Sequence, residues 1–238
     1  MMRTLGLLGG MAWPSTLEAY RAINTEVGER LGGSHSAPLL IWSADFAEVE
    51  ALQTAGEWDA AGALLAGAAQ RLEAAGAAGL MLCTNTMHRV ADVIEAAVEV
   101  PLLHIADATA AAIRADGVER VGLLGTRFTM EEAFYRDRLA AHGLDVVTPD
   151  EQDRETVHEV IYRELIHGSA TEASRHAYQR IVGVLVNRGV DGVIAGCTEI
   201  ELLLGPSDVP VAYYPTTGLH AAAAVRWILG QEERLPTA

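Results

Sequence analysis

Two rhythms of apolar and polar positions alternate along the chain. Continuous apolar runs, of the kind that fill a parallel strand buried on both faces, occur at residues 4–8, 39–43, 79–83, 102–105, 120–125, 145–148, 192–196 and 209–213. Between the first two runs Leu17, Tyr20, Ile23, Val27 and Leu31 recur three and four apart, with Pro14 and Ser15 at the start and Gly32 and Gly33 at the end. That spacing predicts one amphipathic helix with its start and stop signals in place. Helical spacing returns at 58–75, 106–115, 131–142, 155–166, 172–188 and 219–229. The alternation predicts an α/β class built on parallel sheets with right-handed crossovers.

The two halves also resemble each other. LGLLGG at 5–10 matches VGLLGT at 121–126, an offset of 116. The only cysteines, Cys83 and Cys197, each end an apolar run and precede a threonine, an offset of 114. The expected architecture is therefore two pseudosymmetric parallel-sheet α/β domains with the active site in the cleft between them. The first domain is expected to hold residues 1–105 plus a C-terminal helix within 217–238, and the second residues 106–216. In open α/β sheets ligands bind beyond the carboxyl ends of strands, which is where both cysteines fall.

Composition narrows the partners. Half of the 238 residues are apolar, enough for a full core, and the formal charge of −15 repels nucleic-acid phosphates and anionic membrane surfaces. A small-molecule ligand is expected, with no nucleic acid and no membrane as partner. The first twelve residues, interrupted by Gly6, Gly9 and Gly10, read as a strand and not as a signal peptide, and no run reaches eighteen apolar residues. A cytoplasmic location is expected. All 17 basic residues are arginine, so no lysine exists to form a pyridoxal phosphate Schiff base or to serve a P-loop.

The thiols themselves admit several readings. A cysteine after an apolar strand is often an inert core residue. A redox pair usually shows Cys-x-x-Cys, and zinc needs local clusters of Cys and His; neither pattern occurs. A further reading is acid–base chemistry. At a strand end leading into a helix, the helix N–H groups are expected to favour a thiolate, and Thr84, Asn85 and Thr86 add donors for an anion. One thiolate and one thiol can invert a stereocentre, the first removing a proton from one face and the second delivering one to the other. The turn GGMAWPST offers Gly9 and Gly10 for close backbone approach to a ligand, Trp13 to cover it, and Ser15 and Thr16 as donors. Arg127 suits a carboxylate, a phosphate or a surface ion pair; Glu131–Glu132 and Glu232–Glu233 read as solvated.

GLLGGMAWPST, LGGSHSAPLL, CTNTMH, LLHIADAT, LLGTRFTM and GCTEI, in this order over nearly the whole chain, resemble the aspartate/glutamate racemase family, most of all its amino-acid (aspartate) racemase branch. The resemblance implies a cofactor-independent enzyme, usually a homodimer, that interconverts L- and D-amino acids with Cys83 and Cys197 as the two acid/base residues. It places Met11, Ser15, Thr16, Thr84, Asn85, Thr86, Thr126 and Thr198 along the substrate cleft, brings His88 and His104 near it as supporting groups, and implies no metal. Two departures bear on the substrate. Ile166 stands where aspartate-specific members carry a lysine, and Glu48 and Glu50 stand near the place where others carry an arginine. Pro215 stands where relatives tend to have an aspartate. Other reactions of the superfamily, hydantoin racemisation or maleate isomerisation, and a non-catalytic amino-acid-binding regulator are the alternatives.

Overall fold

A computed structural model describes residues 1–231; Glu232–Glu233 and the end of the expected C-terminal segment lie outside the described residues. The chain forms two compact units. Of the described residues, one comprises Met1–Cys83, Val90–Leu103 and 220–231, the other Thr84–Arg89 and His104–Leu219.

The first unit holds β1 (Leu5–Gly9), α1 (Trp13–Leu31), β2 (Leu39–Ser43), α2 (Phe46–Ala55), α3 (Trp58–Ala74), β3 (Gly79–Leu82), α4 (Ala91–Glu95) and β4 (Leu102–Leu103). Its four strands are all parallel, in the order β2-β1-β3-β4. Every residue of β1 and β3 is buried, as expected of central strands covered on both faces. Leu5, Leu7 and Met81 pack with Ile23 and Val27 of α1 and with Val225, Trp227 and Ile228 near the end of the chain. Helix α1 has Pro14 in its first turn and ends at Gly32, whose N–H reaches back to the Gly28 carbonyl. Helix α2 went unanticipated, although its signal is present: the Asp45 carboxylate accepts from the Ala47 N–H, and Glu48 follows three residues after the cap.

The second unit holds α5 (Ile105–Ala115), β5 (Arg120–Gly125), α6 (Arg127–Glu131), α7 (Ala133–Ala141), β6 (Asp145–Val147), α8 (Glu151–Arg163), α9 (Glu172–Asn187), β7 (Gly192–Gly196), β8 (Ala212–Pro215) and the start of α10 (Thr216–Ile228). The sheet is again fully parallel, in the order β6-β5-β7-β8, so the two sheets share one topology. Strand residues alternate between its two faces. Leu124, Val193 and Ala195 pack with Tyr178, Ile181 and Leu185 on one side, while Leu123 and Ile194 pack with Tyr135 and Leu139 on the other.

Two expectations need correction here. The helix expected at 131–142 begins only at Ala133, because Glu132 is extended and Glu131 closes the separate short helix α6. Glu131 and Glu132 stand at helix ends as expected, Glu131 exposed and accepting from Arg154 Nε at 2.9 Å, Glu132 paired with Arg89. The last strand begins at Ala212 and not at residue 209, because it pairs from Gly192↔Ala212 and a one-turn helix, Pro206–Asp208, occupies the chain just before.

The glycines after β1 serve the chain itself. A Cβ on Gly9 would lie 2.4 Å from Thr16 Cγ2, and one on Gly10, where φ is +88°, would lie 2.4 Å from the backbone of Ala44. The space expected for a ligand is filled by Thr16 and Ala44. Gly10→Ala should therefore destabilise the protein by about 2 kcal/mol or more, combining left-handed strain with a backbone clash. Gly189→Ala, at φ +83° with open space around it, should cost only the strain, about 1 kcal/mol. Urea midpoints at unchanged slope measure both.

Candidate active site

Within the first unit, the singled-out residues sit at the carboxyl ends of β1 and β3. The pairing Leu8↔Leu82 continues with the Cys83 N–H donating to the Leu8 carbonyl at 2.9 Å, which sets Cys83 level with Gly9. The thiol is buried and packs in the first unit's core. Met11, Ser15 and Thr16 are all buried where β1 turns into α1, and the Thr16 hydroxyl accepts from the Gly10 N–H at 2.8 Å. Trp13, expected as a cover, is 67% exposed. Glu48 is exposed and Glu50 partly so.

Within the second unit, Cys197 directly follows the Gly125↔Gly196 pair, so it lies one step beyond the level that Cys83 occupies against its own central strand. The structural repeat is close but not exact in register. Around the carboxyl ends of β5, β7 and β8 lies a chain of hydroxyl and amide groups. Thr86 Oγ1 meets Thr126 Oγ1 at 3.0 Å, and Thr126 meets Thr129 Oγ1 at 3.2 Å. Thr217 Oγ1 donates to Thr198 Oγ1 at 2.9 Å. Thr216 Oγ1 donates to the Ala195 carbonyl at 2.8 Å and accepts from Asn85 Nδ2 at 3.0 Å. Because the Thr216 proton is committed, the Asn85 amide must face it with nitrogen. Asn85 Oδ1 is then a buried acceptor with no donor, which is costly unless a ligand supplies one.

His88 and His104 tie this segment to its neighbours. Both are buried. His88 Nε2 accepts from the Ile105 N–H at 3.2 Å, so its proton sits on Nδ1 and goes to the Thr84 carbonyl at 2.7 Å. His104 caps α5 by accepting from the Ala106 N–H, and the two rings lie 4.4 Å apart. The Pro215 position also becomes intelligible: Pro215 pairs with Ala195 at the end of β8, and Thr216 supplies the polar group one residue later.

Sequence reasoning missed Glu199, Thr129, Thr216 and Thr217. Glu199, which lies within the GCTEI motif, is the most consequential: it is buried, and its Oε2 accepts from Cys197 Sγ at 2.9 Å. Arg127 is exposed, its guanidinium 6.0 Å from the Phe128 ring, while its backbone N–H donates to His158 Nδ1 at 3.3 Å. Ile166 is apolar packing against the second unit's core. Among the described residues, no group of three or more His, Cys, Asp or Glu side chains is arranged to hold a metal, and no helix is long and apolar enough to cross a membrane.

A family model described as Asp/Glu/hydantoin racemase matches residues 8–224. The chain belongs to that family. A crystal structure from Yersinia pestis that carries an Asp/Glu racemase assignment is 52% identical, covers 96% of this chain and 100% of its own, and superposes with a TM-score of 0.91. An aspartate racemase homologue from Pyrococcus horikoshii OT3 is 33% identical over the same shares, with a TM-score of 0.83. The broad specificity amino-acid racemase RacX of Bacillus subtilis is 29% identical over 148 residues, which is 60% of this chain and 62% of that one. In this member of the Asp/Glu/hydantoin racemase family, then, two sheets of one topology each carry a Cys-Thr pair at a strand end.

The thiols do not have the electrostatics expected of helix-activated cysteines. Burial pushes Cys83 up to about 12. Burial also drives Cys197 well above its ordinary value, and the Glu199 and Glu201 carboxylates add to the rise; the Glu199 backbone N–H opposes it but is outweighed. The helical turns that follow are too short to reverse this: Thr86–Val90 and Thr198–Leu202 are single 3-10 segments of five residues. Desolvation of the anion exceeds what one or two N–H groups return. In the free protein both thiols should alkylate with iodoacetamide at pH 7 at least a hundredfold more slowly than free cysteine, and unfolding in urea should restore the ordinary rate. Fast alkylation of the folded protein would show that the thiols are ionised there.

Proposed function

We propose that the protein is a pyridoxal-independent amino-acid racemase, with Cys83 and Cys197 meeting opposite faces of the substrate Cα. The observation that carries this reading is the recurrence of one thiol at the end of the third strand in each of two sheets of identical order, in a chain with no other cysteine and no lysine. One cysteine takes the α-proton to a thiol while the other gives its own proton to the opposite face, so each turnover moves one proton in and one out. The reverse direction exchanges the roles.

A raised thiol pKa suits this chemistry once a substrate is bound. The α-proton of an amino acid is a very weak acid, and a thiolate that binds protons tightly narrows the mismatch. The substrate ammonium brings a positive charge that favours the thiolate beside it, which the free site lacks. Asn85 Oδ1, left without a donor, is the acceptor we assign to that ammonium. We assign the substrate carboxylate to the hydroxyls of the second unit, Thr84, Thr86, Thr126 and Thr198, where hydrogen bonds to the developing negative charge lower the barrier.

For the side chain, Ile166 offers an apolar contact and no cation. We therefore infer a substrate range that includes neutral amino acids. The family model spans hydantoin racemases as well, so a 5-substituted hydantoin belongs in the same panel.

Incubation of a panel of amino acids in D2O, followed by proton NMR at the α-position, tests the reading. Exchange and inversion should proceed after dialysis against chelator and without added pyridoxal phosphate, and aspartate should not exceed every neutral amino acid in kcat/KM by a hundredfold, about 2.7 kcal/mol. Binding without exchange across the panel would replace the racemase by an amino-acid-binding protein, and exclusive turnover of aspartate and glutamate would place a cation in the site.

A further inference from the structure

The two thiols are not equivalent, and the difference lies at Glu199. Cys83 is buried in an apolar core, and burial alone accounts for its raised proton affinity. Cys197 has a carboxylate oxygen 2.9 Å from its sulfur, on a side chain that is itself 9% exposed. In this contact the sulfur is the donor and the carboxylate oxygen the acceptor.

We propose that Glu199 is a positioning residue for Cys197: it accepts the Sγ–H bond, aims that proton, and holds Cys197 in its protonated, proton-donating form. The proposal rests on the reading of Cys197 as an acid/base residue and adds an assignment to it, with Cys197 as the resting acid and Cys83 as the thiol that ionises when substrate binds, its proton released to solvent as the ligand enters. No proton needs to pass to Glu199. When Cys197 delivers its proton to Cα, the sulfur becomes an anion beside a carboxylate, a like-charge pair that like-charge repulsion makes strongly basic. That thiolate then retakes a proton readily, as the reverse direction requires.

The other charged or titratable groups acting on Cys197 are consistent with this. Glu201, on the same turn, is exposed and adds a weaker repulsion, and the Tyr178 phenol of α9, which Cys197 influences in turn, donates to the Val157 carbonyl and so faces the sulfur as a neutral group. Among the described residues, Glu199 is the side chain that accepts the thiol's hydrogen bond, and its removal changes the charge environment of the sulfur directly.

Steady-state rates cannot isolate this effect, because enantiomers are equal in energy and kcat/KM must be the same in both directions. Thiolate absorbance at 240 nm isolates it. In a Cys83→Ser protein, where Cys197 is the single thiol, Glu199→Gln should move the half-ionisation of Cys197 to lower pH by one unit or more, a tenfold or larger gain in thiolate at a given pH. Glu199→Asp should stay within half that shift of the parent, and Glu201→Gln, with its charge farther away, should move the midpoint by less than Glu199→Gln does. Urea midpoints establish that each variant is folded. An unchanged or raised midpoint in folded Glu199→Gln overturns the proposal, as does an equal shift in Glu201→Gln. Absence of α-proton exchange by the unmodified protein would end the racemase reading instead, and it would leave the titration result to decide the role of Glu199 alone.

Discussion

Parallel pairing of β1 with β3, and of β5 with β7, is the constraint on which the rest of this structure depends. Parallel strands all leave the sheet at the same edge, so whatever follows each central pair is gathered there without further instruction. In the first unit the edge receives Gly9, Gly10, the start of α1 and Cys83. In the second it receives Thr126, Cys197, Thr198 and Thr216. Tight packing at the edge has its own requirements. Gly10 must be glycine because Ala44 and Ser43 leave no room for a Cβ, and the Gly10 N–H must have Thr16 as its partner because water is excluded.

That same exclusion of water sets the chemical problem. Ionising Cys83 at a pKa of about 12 costs roughly 4 kcal/mol more than ionising it at its ordinary value. The cost is the counterpart of basicity, since a thiolate that is hard to form holds a proton strongly once formed. On the function proposed above, a ligand that carries positive charge favours the thiolate, and the buried Asn85 Oδ1 is a second group that a donor-bearing ligand satisfies. Both features fit the substrate class we propose, one with an N–H donor and a positive charge close to an acidic C–H.

Much of the fold was legible in the chain because buried parallel strands write themselves as continuous apolar runs. The runs at 39–43, 120–125 and 192–196 coincide with β2, β5 and β7. Where the reading slipped, an interaction distant in sequence intervened. The apolar stretch from Val209 looks uniform, but its pairing partner begins at Ala212. The helix expected across Glu132 is broken where that side chain meets Arg89, 43 positions away. The cysteines and their threonines could be singled out from their repeated setting alone. Their protonation could not: it depends on how completely the folded chain surrounds each sulfur and on where the Glu199 carboxylate swings, neither of which is a local property of GCTEI. His88 shows the same limit, since only the fold brings Ile105 to its Nε2 and so fixes which nitrogen carries the proton.

The account stands most directly on the claim that both sulfurs take part in every turnover. Replacing Cys83 or Cys197 singly by alanine and following both enantiomers by optical rotation and by α-proton exchange in D2O measures this. The account predicts that each variant loses interconversion in both directions, and that any exchange remaining in one variant favours the enantiomer opposite to that favoured in the other, because each retains a base on only one face. Interconversion at near the unmodified rate by either single variant would contradict it.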